Sequence, residues 1–466
     1  MTFLRKHRTC FILIANLFVH LFLHLPHFSL DLMGFHAWRQ CQTVATAVNF
    51  YEEDLRIWNP RRDCREDSDG IFRVEFPLFQ WSIAAFGKLT SYHPSQLGRK
   101  AAYVAFLIAI GGMAFFLTSV FSRDPALLAG AAFLWSPALF YYSVSPLPDM
   151  LALGLGVWGL GFWMREKPMI ASLFLGVASA VKLPFLLLWA LPMGEKLLQR
   201  PFRKPLLSML GYFSLSFLLT ALWYVQATDL WRDKGLVKGI FAADFSTGVY
   251  FRLLYHHLFS LLPENIIGYA SCVPFLLGLR YIWQEKEKWR GFFSLGVVLL
   301  LYLLYELPTL GYPHDYYLFP WLPWTSLAIG KAFDSWWRDR KYGWIALFII
   351  TAPVGAWIRM HHRWDPSQPG FNPDLLRYKK ELQAAVPDSE RVIIGIDQSR
   401  FIYAYHIHKK GWCIADEREI PSVLETALRK GVHYLYSDSR ILDSIAAPHI
   451  QAERGKWGSF RVYELR

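Results

Sequence analysis

The chain has 466 residues, of which 54% are hydrophobic, 17% aromatic and only 18% charged. Soluble globular proteins carry roughly 25% charged residues, and apolar runs of about 17–25 residues recur here, so the sequence describes a polytopic α-helical membrane protein. The net charge of +12 does not indicate a nucleic-acid partner, because no soluble basic domain is present and the basic residues collect in short loops between spans.

The first apolar run, Cys10 to about Leu30, follows Arg5, Lys6 and Arg8. No small-residue cleavage site follows it, so it reads as a retained signal anchor with a cytoplasmic N-terminus. From Asp31 to Trp81 the chain turns polar, aromatic and dense in charge. Inside that stretch Cys41, Val44, Val48, Tyr51, Leu55 and Trp58 recur at intervals of three and four. This spacing predicts an amphipathic helix lying along the membrane interface and ended by Asn59-Pro60. A second juxtamembrane helix is predicted over 77–93.

Further spans are expected near 98–121, 126–144 and 150–164, separated by turns at 122–125 and 145–149. The run 169–195 is too long for one ordinary span and is interrupted by Lys182-Leu183-Pro184, so two short helices should meet at Lys182. A span near 205–226 precedes a polar, aromatic loop at 227–262, and later spans fall near 263–283, 291–306, 316–334 and 343–359. The total is about eleven.

Loop charges orient the molecule. With the N-terminus inside, the inner loops hold Arg123; Arg165 and Lys167; Lys196, Arg200, Arg203 and Lys204; Lys286, Lys288 and Arg290; and Arg338, Arg340 and Lys341. The turns 145–149 and 307–315 contain no Lys or Arg. The positive-inside rule then places 31–97, 145–149, Lys182, 227–262 and 307–315 on one outer face, together with the tail. That tail, 362–466, changes character: 391–397, 432–438 and 459–465 read as strands, and 375–386 and 420–431 as helices. The expected organisation is a membrane domain over 1–361, with its first outer loop at 31–97, and a soluble extracytoplasmic α/β domain over 362–466.

Candidate chemistry gathers on the outer face. His36, Trp38, Arg39 and Gln40 open the first loop's helix, and Glu75 precedes the second. Lys182 sits at a helix break, where an ammonium is costly unless an anion meets it. Arg39 offers a planar bidentate fork, and His314, Tyr316 and Tyr317 follow a late span. The outer carboxylates are Asp31, Glu75 and Asp149; the last also suits a helix N-terminus, where a carboxylate meets the helix dipole. Asp67-Ser68-Asp69 has a metal-binding spelling but sits in an acidic, turn-like run and reads as solvated loop. No metal site or cofactor is expected, with a divalent ion left open. The five cysteines form no CxxC pair, and Cys41 and Cys64, which share the first loop, are a possible disulfide in an oxidising space.

HAWRQCQTVATAVNFYEE and then VEFPLFQW, followed in order by PLPDMLAL around Asp149, VKLP around Lys182 and HDYYLFPWLP from His314, resemble the outer-face motifs of bacterial glycosyltransferases in the dolichyl-phosphate-mannose–protein mannosyltransferase-like superfamily. The lipid A aminoarabinose transferase is a distant relative. The resemblance covers about residues 1–360 and implies the GT-C fold in a bacterial inner membrane. It further implies transfer of a sugar, with inversion, from a polyprenyl-phosphate carrier to a hydroxyl acceptor (glycan, lipid or protein) on the non-cytoplasmic face. In that reading Asp31, Glu75 and Asp149 are the catalytic carboxylates, and His36, Trp38, Arg39, Gln40, Lys182, His314, Tyr316 and Tyr317 bind substrate. The first loop and 227–262 would close an outer cavity from above. The chain departs from the family at one point: the acidic pair expected just after the first span is absent, and Gln42 stands where relatives often carry Asp. The base is therefore open between Asp31 and Glu75, with Asp149 read as a positioning group or a lysine partner. A flippase or transporter for lipid-linked glycans, or a ligase using a lipid pyrophosphate donor, are the rival expectations.

Overall fold

A computed structural model describes residues 2–197, 203–233, 247–311 and 314–466. The helices run in the order α1 (Thr2–His24), α2 (Ala37–Glu52), α3 (Leu78–Thr90), α4 (Pro94–Val120), α5 (Arg123–Leu134), α6 (Pro137–Tyr142), α7 (Pro148–Met164), α8 (Pro168–Val181), α9 (Ala190–Leu197) and α10 (Arg203–Asp233). They continue as α11 (Thr247–His256), α12 (Tyr269–Gln284), α13 (Arg290–Leu310), α14 (Trp321–Arg338) and α15 (Tyr342–Met360). The chain separates into two compact units. One comprises residues 1–28, 74–76 and 99–362, and the other 29–73, 77–98 and 363–466.

The first unit is the helical membrane body. Among the described residues five helices are long and apolar enough to cross a bilayer, or six if the bent pair 247–267 and 269–284 is one span. The sequence-based count is higher because several apolar runs fold as shorter or broken helices. The run 126–144 divides at Trp135-Ser136-Pro137 into α5 and α6. The bent pair turns by 108° at Gly268, whose φ of 77° suits a residue without a Cβ. Proline opens α6, α7 and α8, where its missing N–H costs nothing and its φ is preset.

The second unit is an α/β domain. Strands β1 (Arg391–Gly395), β2 (Lys410–Ile414), β3 (Tyr434–Ser437), β4 (Ile450–Trp457) and β5 (Phe460–Leu465) form one sheet in the order β2-β1-β3-β5-β4. β1 pairs in parallel with β2 and β3, while β5 pairs antiparallel with β3 and β4. Alternation along β1 sends Val392 and Ile394 into one core and Ile393 into another, as the two-residue period of a strand requires. The first core also takes in Cys41, Val44 and Val48 of α2. The apolar stripe expected to rest on the bilayer is thus covered by the sheet and by its helices. The first loop also reaches the sheet edge: Gly411 N–H donates to the Asp63 carbonyl (3.1 Å), and Arg65 N–H to the Gly411 carbonyl (2.9 Å). This shields the otherwise open edge of β2.

Candidate functional site

Pro184 creates the site. In a continuing α-helix residue 184 would donate its N–H to the carbonyl of Ala180; proline has no N–H, and its ring crowds that carbonyl. α8 therefore stops at Val181, Lys182 turns to an extended conformation (φ −153°, ψ 110°), and a short 3-10 helix follows over Leu183–Trp189. The liberated Ala180 carbonyl accepts the Phe76 N–H at 3.1 Å. That bond fixes residues 74–76 beside the break, and Glu75 with them.

α7 delivers the partner carboxylate. It packs closely on α8 because Gly159 leaves room: a Cβ there would lie 2.8 Å from Leu175 Cγ. Asp149, in the first turn of α7, meets the Lys182 ammonium at 3.4 Å, with side-chain exposures of 2% and 12%. The ammonium also lies 5.1 Å from the centre of the Tyr317 ring and 5.6 Å from that of Tyr316, so cation–π attraction adds to the ion pair.

A cavity of about 610 Å³ opens at this point, within the size range of ligand pockets. Its walls are mainly apolar, with Leu183, Pro184 and Leu187 from the 3-10 helix and Val298 and Leu301 from α13. Seven residues with polar heads interrupt them: Glu75, Lys182, Tyr224, Tyr302, Tyr305, Glu306 and Tyr317. Glu75 is 6% exposed.

Sequence reasoning marked Glu75, Lys182 and Tyr317, and all three line this cavity. Asp149 reaches it through Lys182. Tyr316 does not line the cavity: its ring meets the Lys182 ammonium while packing against Tyr142 and His314. His314, on the turn after α13, is bonded through Nδ1 to the Leu310 carbonyl at 2.8 Å. Burial pushes its imidazole below the ordinary value, and the Lys182 charge adds to that. Tyr302, Tyr305 and Glu306 were missed, although YELP at 305–308 closing an apolar helix is a readable signal. Asp315 was missed as well. It is fully buried and accepts hydrogen bonds from Tyr142 (2.7 Å) and Asn265 (2.8 Å), which ties the 315–318 turn to α6 and to the segment ahead of α12.

The remaining candidates belong to the α/β unit. Asp31 is 44% exposed at its side chain and pairs with Lys379 at 2.5 Å. His36 takes a left-handed conformation (φ 56°, ψ 35°) at the start of α2, an uncommon state for a residue other than glycine. Arg39 is buried and donates to Gln42. Gln40 is fully buried and donates to the Met33 and Phe35 carbonyls (3.2 and 3.1 Å), holding the loop ahead of α2. Trp38 packs against the core shared with the sheet. Asp67, from the DxD spelling, pairs with Lys430 at 2.5 Å, both half exposed. All five cysteines are thiols, and Cys41 faces His406 at 3.7 Å. The segment 227–262, expected as a loop, is helical over 227–233 and 247–262, and 234–246 lie outside the described residues.

No protein-family model and no curated protein sequence matches the chain. Solved structures do. ArnT from Cupriavidus metallidurans in the apo state superposes with a TM-score of 0.66 at 12% identity, over 98% of this chain and 97% of that one. The same protein bound to undecaprenyl phosphate gives 0.65 at 12% identity, over 97% of each chain. The oligosaccharyltransferase AglB from Archaeoglobus fulgidus, in complex with an inhibitory peptide and a dolichol-phosphate, gives 0.58 at 12% identity, over 96% of this chain and 70% of that one. The chain has the GT-C fold. In GT-C terms it is a multi-pass helical membrane body carrying a small sheet domain.

Proposed function

We propose that this chain is an inverting glycosyltransferase that moves a hexose or pentose from a polyprenyl-phosphate carrier to a hydroxyl acceptor at the outer membrane surface. The observation that carries the reading is a buried ammonium, Lys182, held by Asp149 at a helix break and opening onto a mainly apolar cavity that also holds Glu75. A lipid phosphate combines one anionic group with a long apolar chain, and this cavity matches both. Support also comes from the bound carriers of two structural neighbours, undecaprenyl phosphate and dolichol-phosphate.

In the proposed reaction the acceptor oxygen attacks the anomeric carbon, the bond from that carbon to the phosphate oxygen breaks, and the carrier phosphate departs. Lys182 stabilises the charge that develops on the departing phosphate. Glu75 takes the acceptor's proton. Asp149 positions Lys182. We favour Glu75 over Asp31 as the base because Glu75 shares the cavity with Lys182, whereas Asp31 is committed to Lys379. The orientation set by loop charges, with the N-terminus cytoplasmic and the cavity mouth outside, belongs to the same proposal.

The test is transfer of labelled sugar from polyprenyl-phosphate donors by the purified protein in detergent. Glu75→Gln should lower turnover by about 10²–10⁴-fold while donor binding holds; Lys182→Ala should weaken donor binding itself. Arg39→Ala and His36→Ala in the same assay test the donor-binding roles proposed for the first loop. If no donor supports transfer, and cells carrying Lys182→Ala or Glu75→Gln are unaffected, the reading is wrong.

A further inference from the structure

The phenol of Tyr302 is a buried polar group that the proposed mechanism does not use. Tyr302 is nine-tenths buried, it lines the cavity, and its hydroxyl finds no hydrogen-bond partner among the described residues. Leaving such a group unsatisfied is costly, and native structures rarely do so without a reason. Glu306 lies four residues farther along α13, on the same face of the helix, and also lines the cavity. Glu306, Tyr317 and Asp149 all lie close enough to Tyr302 to act on it electrostatically.

A phenol offers a proton, and an ionised carboxylate only accepts one. Side by side they suit a ligand group that both donates and accepts. A sugar hydroxyl does both. A phosphate oxygen only accepts, and Glu306 would repel it. Resting on the proposed transferase reading, we infer that Tyr302 and Glu306 form the subsite that grips hydroxyls of the transferred sugar, and that this sugar is an uncharged polyol at that position. Tyr302 donates to a ring hydroxyl, and Glu306 accepts from that hydroxyl or its neighbour. Lys182 holds the phosphate. The two ends of the donor's head are thus read by different parts of one cavity, and Tyr302 becomes a specificity residue.

The test measures binding of bare undecaprenyl phosphate and of its glucosyl, mannosyl and arabinosyl esters to the full-length protein in detergent. The wild type should bind at least one sugar-bearing carrier about tenfold more tightly than the bare carrier. Tyr302→Phe should erase that preference, change bare-carrier affinity by less than about twofold, and leave the melting temperature unchanged or raised, because it deletes an unpaired buried hydroxyl. Glu306→Gln, which keeps an accepting oxygen, should retain part of the preference; its complete loss would indicate a cationic sugar and overturn the inference. Equal losses for bare and sugar-bearing carriers in Tyr302→Phe would place the phenol on the phosphate and also overturn it, while the transferase reading stands. A wild type with no preference for any sugar-bearing carrier would overturn it too. Lys182→Ala separates the two ideas, since it should weaken every carrier alike by more than tenfold; no effect there would count against the transferase reading instead.

Discussion

Breaking the Lys182–Asp149 pair should cost far more than removing it whole. At 3.4 Å and an effective dielectric constant of about 20, the attraction between the two charges is about 5 kcal/mol. Neither group is more than 12% exposed, so solvent screens the pair little. Asp149→Asn leaves an ammonium buried beside two tyrosine rings, and Lys182→Met leaves a carboxylate buried at the start of α7. Each should destabilise the protein by about 3–5 kcal/mol, the usual penalty for stranding one member of a buried pair. Joining Lys182→Met with Asp149→Asn leaves no charge to desolvate, and the double variant should be more stable than either single one. Unfolding in SDS, followed by tryptophan fluorescence across the four proteins, gives the coupling energy. We expect about 2–4 kcal/mol. A double variant whose loss equals the sum of the two single losses would refute the pairing. Binding of undecaprenyl phosphate to the same proteins adds a functional arm. Lys182→Met should lose at least tenfold in affinity, and Asp149→Asn much less, since the ammonium stays.

Three further outcomes follow from the same geometry. Pro184→Ala restores an N–H for the Ala180 carbonyl, so the α8 helix should extend and release Phe76; transfer should fall at least tenfold with stability unchanged or improved, measured by activity and melting on one preparation. Gly159→Val inserts a branched side chain where even a Cβ would lie 2.8 Å from Leu175 Cγ, which should destabilise the membrane body by about 1–3 kcal/mol and reduce transfer by splaying α7 from α8. In the α/β unit Glu52 bonds to His408 at 3.2 Å. This bond raises the His408 imidazole above its ordinary 6.5. Burial would raise the Glu52 carboxyl, but hydrogen bonds from His408 and His93 outweigh it and hold that group below its ordinary 4.5. The histidine's contribution is complete below pH 6.5 and fades as pH rises through its folded value; the carboxylate's is complete above pH 4.5 and fades as pH falls. The pair should therefore stabilise the unit most between about pH 4.5 and 6.5, and melting curves of His408→Gln across pH should show a flatter alkaline limb.

Much of the membrane body was legible because its signals are local. Lys182-Leu183-Pro184 announces a break in any apolar run, and Glu75 stands out in a stretch placed outside by loop charge. Strands β1, β3 and β5 carry buried apolar runs that period-two reading recovers. β4 does not: it lies at the sheet edge and is mostly exposed along its length, so it lacks an apolar face. β2 is short and opens with Lys410-Gly411, which reads as a turn. The stripe Cys41, Val44, Val48 was seen, but periodicity reports an apolar face and not what covers it; a sheet about 350 residues later does so. Tyr302 was hidden because one phenol within an apolar helix barely changes its mean hydropathy, whereas Glu306 is legible in the YELP that closes that helix.

The discontinuity of the α/β unit sets an order on its making. Its first pieces, residues 29–73 and 77–98, emerge early, while the sheet they complete is encoded after residue 362. Roughly 265 residues of membrane helices separate the two. About 350 residues separate α2 from the strand that covers it, so at synthesis rates of about 5–20 residues per second α2 waits about 17–70 s with Cys41, Val44 and Val48 uncovered. During that interval its amphipathic face is suited to rest on the bilayer surface, the place its sequence pattern alone would assign it. Arrival of the tail would then replace lipid with the Val392 and Ile394 side of the sheet, which shares a core with that face. A chain truncated before residue 363 would keep that face uncovered and carry the cost as aggregation or proteolysis.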